Sequence, residues 1–322
     1  MSWFRELTGF DESAASVRTM LEVDGTTMRS LANGRVMQAG RLTTPTLREL
    51  RAHGETSLPT GQLSVREVVA DVAALHRDPA NAQAVFQVAS QFNLLEMVSS
   101  SVTPEAGVTG YEHDNTQGPA CAIACGASTI WRNWFVEING EAGQTTDRQL
   151  DMLADVGADL GNPHNTDNTD NRLWTMRNGY ALANGNGLDL LPEDHDLLRI
   201  GIHADTEVTL DDAGHTVTQL YCSALPVAYT DASSEALEPL ARMILNSSYE
   251  ATLWAARRKH AAGGSPIVYL TLLGGGVFGN KTTWITDALR RAFAIHSDSP
   301  LDVRIVSYGG PSAAIAPLLT TA

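Results

Sequence analysis

Hydrophobic positions along the chain fall into runs of two kinds. Short, nearly unbroken apolar stretches lie at 84–89 (AVFQVA) and 267–273 (IVYLTLL). Runs of that length read as strands buried on both faces. Residues 303–308 read as a last strand, and 198–202 and 217–228 hold further β-rich stretches. Apolar residues at helical spacing mark 234–261, one long amphipathic segment, and 284–294. The C-terminal third therefore alternates strand, helix, strand, helix, strand. Such alternation predicts a three-layer α/β/α fold around a mixed, mainly parallel sheet.

Upstream the pattern is looser. Residues 119–134 predict a helix with Pro119 in its first turn. Residues 64–77 predict a helix or helical turn carrying Asp71, and 146–156 a further helix. The repeat Asn184-Gly185-Asn186-Gly187 predicts a hairpin turn within 180–190. Residues 161–171, rich in Asn and Asp, predict a surface loop. The first 60 residues read as an accessory segment, with strands at 19–24 and 35–42 and a short helix at 46–53. The polar stretch 53–61 reads as a linker, which leaves 61–322 as the main domain.

Composition narrows the function. A chain of 322 residues, 43% of them hydrophobic, can bury one large core. Lys and Arg number 22 against 37 Asp and Glu, a formal charge of −15. That balance disfavours a grip on bare nucleic acid. An anionic ligand would be held by local backbone dipoles, not by overall attraction. Cys121, Cys125 and Cys222 are odd in number and lack a framework spacing, which suits a reducing compartment. Cys121 and Cys125 share a helix face but have no matching Cys/His pair, so they read as buried packing residues. The histidines show no metal spacing, and no metal or cofactor is expected. Nothing resembles a cleaved leader or an apolar span, so a cytoplasmic protein that does not engage membrane is expected.

Two segments carry chemistry. The first is Gly274-Gly275-Gly276-Val277-Phe278-Gly279-Asn280, after a buried strand and before a helix. Ligands in open α/β sheets bind at the carboxyl ends of strands. Glycines let the backbone approach a ligand closely, and their N–H groups can surround a diphosphate beside a helix N-terminus. Phe278 would close over a sugar or phosphate, or anchor the loop. The loop matches neither the Walker pattern nor the Rossmann fingerprint. Lys281 reads as a solvated helix-start residue.

The second segment runs from the end of the first buried strand to the next helix. It gathers Gln91, Asn93, Glu96, Glu105, Glu112, His113, Asp114, Gln117 and Gly118. Amides suit ribose hydroxyls, and a carboxylate could orient water at a glycosidic carbon. Asp114 with Gln117 also fits a helix-capping box.

Together these segments resemble the macrodomain superfamily. Ala70-Asp71-Val72 stands where its Gly-Asp-Ile element would be, Phe86-Gln87-Val88-Ala89-Ser90 at its strand motif, and Asn115-Thr116-Gln117-Gly118 at its first phosphate-side loop. Gly276-Val277-Phe278-Gly279 matches the second loop best. The resemblance covers about residues 65–310. It departs where Gln87 and Ser90 replace asparagines and Gln117 sits near the usual catalytic aspartate. The run from Gln91 to Ala122 resembles a divergent branch, that of the bacterial-effector macrodomain MavL, which acts on ADP-ribosylated arginine. The resemblance implies that ADP-ribose, free or on a modified protein, is the ligand. Asp71 would meet the adenine amino group, Gly274–Asn280, Gln117 and Gly118 the diphosphate, and Gln91 and Asn93 the sugar. Glu105, Glu112 and Asp114 are then the candidate catalytic acids of an ADP-ribosyl hydrolase. A non-catalytic reader of ADP-ribose is the alternative, favoured by Gln117. An unrelated nucleotide-dependent transferase is a third reading.

Overall fold

The computed structural model describes residues 1–52, 58–162 and 172–319. The sequence expectations at 53–57 and 163–171 lie outside the described residues.

Seven strands form the central sheet: Arg41–Thr43 (β4), Ser64–Val69 (β5), Val85–Ala89 (β6), Gly201–Glu207 (β11), Thr216–Cys222 (β12), Ile267–Leu270 (β13) and Asp302–Ser307 (β14). Their spatial order is β4-β11-β12-β6-β13-β14-β5. From β12 to β5 all neighbours are parallel, and β11 runs antiparallel to both β12 and β4. Apolar runs place β6 and β13 in the middle, where both faces are covered: Val85, Phe86, Val88, Val268 and Leu270 are all buried.

Helices cover the two faces as separate sets. One comprises Leu47–Ala52 (α3), Ser234–Ala261 (α8) and Thr282–Ile295 (α9), which pack on one another. The other comprises Val72–Arg77 (α4), Gln117–Ala124 (α5) and Gly126–Trp134 (α6). The layered α/β/α arrangement expected from the alternating pattern is therefore present. The bounds of α8 have a local cause. Ser233 Oγ accepts from Ala236 N at the start, and Arg258, Lys259 and His260 sit at the negative C-terminal end. No helix among the described residues is long and apolar enough to cross a membrane.

Several local expectations are corrected. Residues 64–69 form an edge strand, not part of a helix, because Arg66 and Glu67 find partners along the edge: Arg66 bonds Asp302 at 2.8 Å, and Glu67 accepts from Ser307 Oγ. The expected helix 119–134 is two helices, broken where Cys125 leaves helical geometry at φ −116°, ψ 61°. Of 146–156 only the last three residues are helical, as the start of Ala154–Asp159 (α7). The hairpin turn is Asn178-Gly179, with φ of 47° and 80°, joining Trp174–Arg177 (β9) to Tyr180–Ala183 (β10). It is not the later Asn-Gly repeat.

The N-terminal region adds Trp3–Thr8 (α1), Ala14–Met20 (α2) and a small antiparallel sheet of Leu21–Asp24 (β1), Thr27–Ser30 (β2) and Val36–Gln38 (β3). Phe4, Val17, Met28 and Met37 form a second core with Leu95, Val108, Ile130 and Trp134. Strand β4, also within the first 60 residues, closes one edge of the central sheet. The short hairpin Glu137–Ile138 (β7) and Glu141–Ala142 (β8) follows α6.

Candidate active site

Where β12, β6 and β13 end, the chain opens into a cavity of about 440 Å³. Ala89 and Ser90 line it from the end of β6, Ala224 from just beyond β12, and 271–274 from just beyond β13. This is the position where open parallel sheets bind ligands.

The glycine loop forms one wall. Gly274 adopts φ +72°, and a Cβ there would lie 2.4 Å from Ala224 Cβ. Asn280, buried behind the loop, donates from Nδ2 to Leu225 O at 2.8 Å, and its N–H bonds Gly274 O at 3.0 Å. Gly279 N–H closes the turn on Gly276 O, and Ala228 N–H donates to Phe278 O. Among the described residues no protein acceptor meets the N–H groups of Gly276, Val277 and Phe278. Adjacent backbone donors without a protein acceptor are the kind of group that can bind an anion. Among the described residues no Lys or Arg lines the cavity, so such an anion would be held by backbone dipoles. Of the expected ligand residues, Gly274, Gly276, Val277 and Phe278 line the cavity, while Gly275, Gly279 and Asn280 shape the loop behind them.

Helix α5 points its positive end into the same space, for its first residues Gln117 and Gly118 line the cavity. The Gln117 amide is engaged on both sides by β6. Its Nε2 donates to Gln87 O at 2.8 Å, and its Oε1 accepts from Ala89 N at 2.9 Å. Gln117 thus ties the helix to the strand. Gly118 allows the close approach: a Cβ there would sit 2.0 Å from Ala89 O. Asp114 Oδ1 accepts from Thr116 N at 2.9 Å, two residues on and not three, so the expected capping box is replaced by a tighter turn.

An aromatic wall faces these groups. Tyr180, Tyr229 and Phe278 meet with ring centroids 5.4–5.6 Å apart. Tyr180 is fixed by a bond from its Oη to Met97 O at 2.7 Å. Phe278 both anchors its loop in this cluster and lines the cavity.

The candidate acids separate. Asp114 lines the cavity. Glu105 does not: it is exposed and accepts from Thr146 N at 2.7 Å and from Thr146 Oγ1. Partial burial opposes it, yet the Thr146 bonds hold its carboxyl below the usual range. Glu112 does not line the cavity either; its Oε2 accepts from Trp3 N at 3.0 Å. Both acids are corrected to structural roles, because chain segments distant in sequence occupy their carboxylates. Gln91 lines the cavity, with its Oε1 taking the Met97 N–H. Asn93 is wholly buried and bonds Gln149 and Leu95 N, so it shapes the loop instead of facing a sugar. Asp71 caps α4 through Ala73 N at 2.8 Å and lies outside the cavity, two residues past the end of β5.

The sequence reading passed over Glu96 as a catalytic candidate. It lines the cavity but is only 2% exposed, and among the described residues neither carboxyl oxygen has a hydrogen-bond partner. Burial pushes its carboxyl up to about 8; Arg132 and Tyr111 pull the other way, and Asp114 adds to the rise. A carboxylic acid that keeps its proton near neutrality is suited to give a proton, and Asp114 lines the same cavity. The available signal was a lone acid inside the apolar run Leu94-Leu95-Glu96-Met97-Val98. The loop that presents it carries Leu94 at φ +64°, uncommon for a bulky residue and concentrated at functional sites.

The cysteines offer no nucleophile here. All three are free and buried, and burial pushes the Cys125 thiol up to about 12 and Cys222 to about 11. Among the described residues no group of three or more His, Cys, Asp or Glu is placed to share a metal ion.

No family model matches the chain, and no curated protein matches it. Among solved structures it is similar to a poly(ADP-ribose) glycohydrolase from Thermomonospora curvata, with a TM-score of 0.48 at 16% identity over 98% of each chain. It is also similar to the poly(ADP-ribose) glycohydrolase of Deinococcus radiodurans in complex with ADP-ribose, with a TM-score of 0.44 at 14% identity over 84% of this chain and 89% of that one.

Proposed function

We propose that the chain hydrolyses an ADP-ribosyl glycosidic bond. The observation that carries this reading is the placement of Glu96 and Asp114 in one cavity with the unpaired N–H groups of the glycine loop. The diphosphate would lie on Gly276, Val277 and Phe278 and at the start of α5. The distal ribose would then reach the two acids. Asp71 and Tyr308 support an adenine position further along the same sheet edge. They follow the paired ends of β5 and β14, where Val69 stands opposite Ser307, and Tyr308 is 86% exposed. Three strand spacings separate β6 from β5, about 14 Å, a span that suits an extended dinucleotide-like ligand.

The chemistry follows from the pair. Glu96, protonated, gives its proton to the leaving atom as the bond from the anomeric carbon breaks. Asp114 orients water and takes its proton as the new C–O bond forms. Positive charge building on the ring is met by the Asp114 carboxylate. The reaction as written calls on neither a metal nor a redox group. An arginine linkage is the finer part of the proposal. The Tyr180, Tyr229 and Phe278 faces beside two acids suit a guanidinium, which stacks on aromatic rings and pairs with carboxylates. The partner would then be an ADP-ribosylated protein. A non-catalytic reader needs the same loop but has no use for a buried acid at the cavity wall.

The test is release of ADP-ribose from arginine-, serine- and glutamate-linked substrates and from poly(ADP-ribose), with and without a chelator. Wild type should release product, Glu96→Gln and Asp114→Asn should lose about 100-fold or more, and all three should bind ADP-ribose. Binding without turnover on every substrate would leave the reader.

A further inference from the structure

Arg132, on α6, is a wholly buried arginine, and it stands directly behind the cavity acid. Its Nε donates to Leu94 O at 3.1 Å, the carbonyl of the residue held at φ +64°. Its Nη2 reaches Thr129 Oγ1 at 3.2 Å and lies 3.7 Å from Glu96 Oε1. The face of the guanidinium covers the Tyr221 ring, with Cζ 3.7 Å from the centroid. Each side of the fork is therefore held, and none of its atoms lines the cavity.

A buried guanidinium is costly unless it is fixed by hydrogen bonds and opposed by negative charge. Here the hydrogen bonds go to the loop and to its own helix, while among the described residues the Glu96 carboxyl has no hydrogen bond. That division suits a fixed counter-charge better than a structural ion pair, which would close to bonding distance.

We propose that Arg132 is the positioning residue of this site: it clamps the strained 90–97 loop through the Leu94 carbonyl and holds its charge 3.7 Å from the Glu96 carboxyl. Arg132 does not line the cavity and acts through the Leu94 carbonyl and Glu96. The other groups facing Glu96 are Tyr111 from the turn at 109–113, Asp114, Gly118 and Cys121 on α5, and Tyr221 on β12. Of these, Asp114 raises the Glu96 carboxyl, an effect opposite to that of Arg132. Removing Arg132 should therefore make Glu96 hold its proton to higher pH. An opposite charge at this range moves a carboxyl by about one to three pH units.

The kinetic part of this inference rests on the hydrolase reading; the titration part does not. The experiment follows the infrared band of the protonated carboxyl, assigned by its loss in Glu96→Gln, against pH. In Arg132→Met the Glu96 midpoint should rise by at least one unit, and in Arg132→Lys it should stay near the wild-type value. A midpoint unmoved in a folded Arg132→Met protein overturns the proposal, whether or not the chain hydrolyses anything. Should Arg132→Met fail to fold, Arg132→Lys decides. It keeps the charge but loses the fork to Leu94 O, so kcat should fall at least 10-fold with KM near wild type. A wild-type kcat in that variant also overturns it. Absence of turnover in the wild type would refute the hydrolase reading and leave the titration result standing.

Discussion

Two glycines in one loop should fail in opposite ways. Gly276 lines the cavity, has no left-handed backbone, and a Cβ placed on it would meet nothing within 4 Å. Glutamate there should leave folding within about 0.5 kcal/mol of wild type, as for an open surface position. Its carboxylate would cover the unpaired N–H groups and repel a diphosphate. Two charge-assisted bonds at about 1.5–3 kcal/mol each amount to about 3–6 kcal/mol, or an affinity loss above about 100-fold. Gly274 is the converse. Its φ is +72°, and a Cβ would approach Ala224 Cβ to 2.4 Å and Asn280 Nδ2 to 2.6 Å. Alanine there combines backbone strain of about 1–3 kcal/mol with overpacking of about 1–3 kcal/mol. Thermal melts should show Gly274→Ala several degrees down and Gly276→Glu unmoved. Calorimetric titration with ADP-ribose should show binding lost in Gly276→Glu. Undiminished binding by Gly276→Glu would refute the placement of the diphosphate, and a fully stable Gly274→Ala would refute the geometry of the loop.

Two further predictions concern pH and the N-terminal region. Glu96 keeps its proton to about 8 when folded, against 4.5 for an ordinary glutamate. Its contribution to stability is complete below about pH 4.5 and is lost as pH rises through about 8, with a slope up to about 1.4 kcal/mol per pH unit. Denaturant melts between these limits should show Glu96→Gln with a flatter pH dependence than wild type; parallel curves would contradict the buried environment assigned to this carboxyl. Glu12 accepts from Val108 N, Thr109 N, Thr109 Oγ1 and Trp134 Nε1 at 2.6–2.9 Å. Glu12→Ala would strand several of these donors and should cost about 2–4 kcal/mol, read as a lowered denaturation midpoint; a change under about 0.5 kcal/mol would show that water replaces the carboxylate.

The parts of the fold legible in the sequence were those whose pattern answers to local burial. AVFQVA and IVYLTLL became β6 and β13 because both faces of a central strand are covered, and the long amphipathic run became α8 nearly to the residue. The edge strand Ser64–Val69 was hidden, since its charged residues are paid no penalty at an edge and mimic a helical surface. The turn at Asn178-Gly179 and the repeat at 184–187 carry the same local signal, and only the pairing of β9 with β10 distinguishes them. The glycine loop was legible because its function is in its backbone. The acids were not, because composition cannot tell a carboxylate facing a cavity from one taken by Trp3 or Thr146, more than 40 residues distant. Glu96 was hidden for the same reason: its character comes from burial by segments distant in sequence, with Arg132 of α6 behind it.

Strand β4 has a consequence for any attempt to trim this protein. Arg41–Thr43 pairs with Ile202, His203 and Ala204 and covers the outer side of β11. A chain started near Gly61 would keep every cavity residue yet leave the N–H and C=O groups along that side of β11 unpaired. A bare strand edge is a template for other chains. The shortened protein would therefore tend to self-associate edge to edge, besides losing the second core and the Glu12 bonds to Val108 and Thr109.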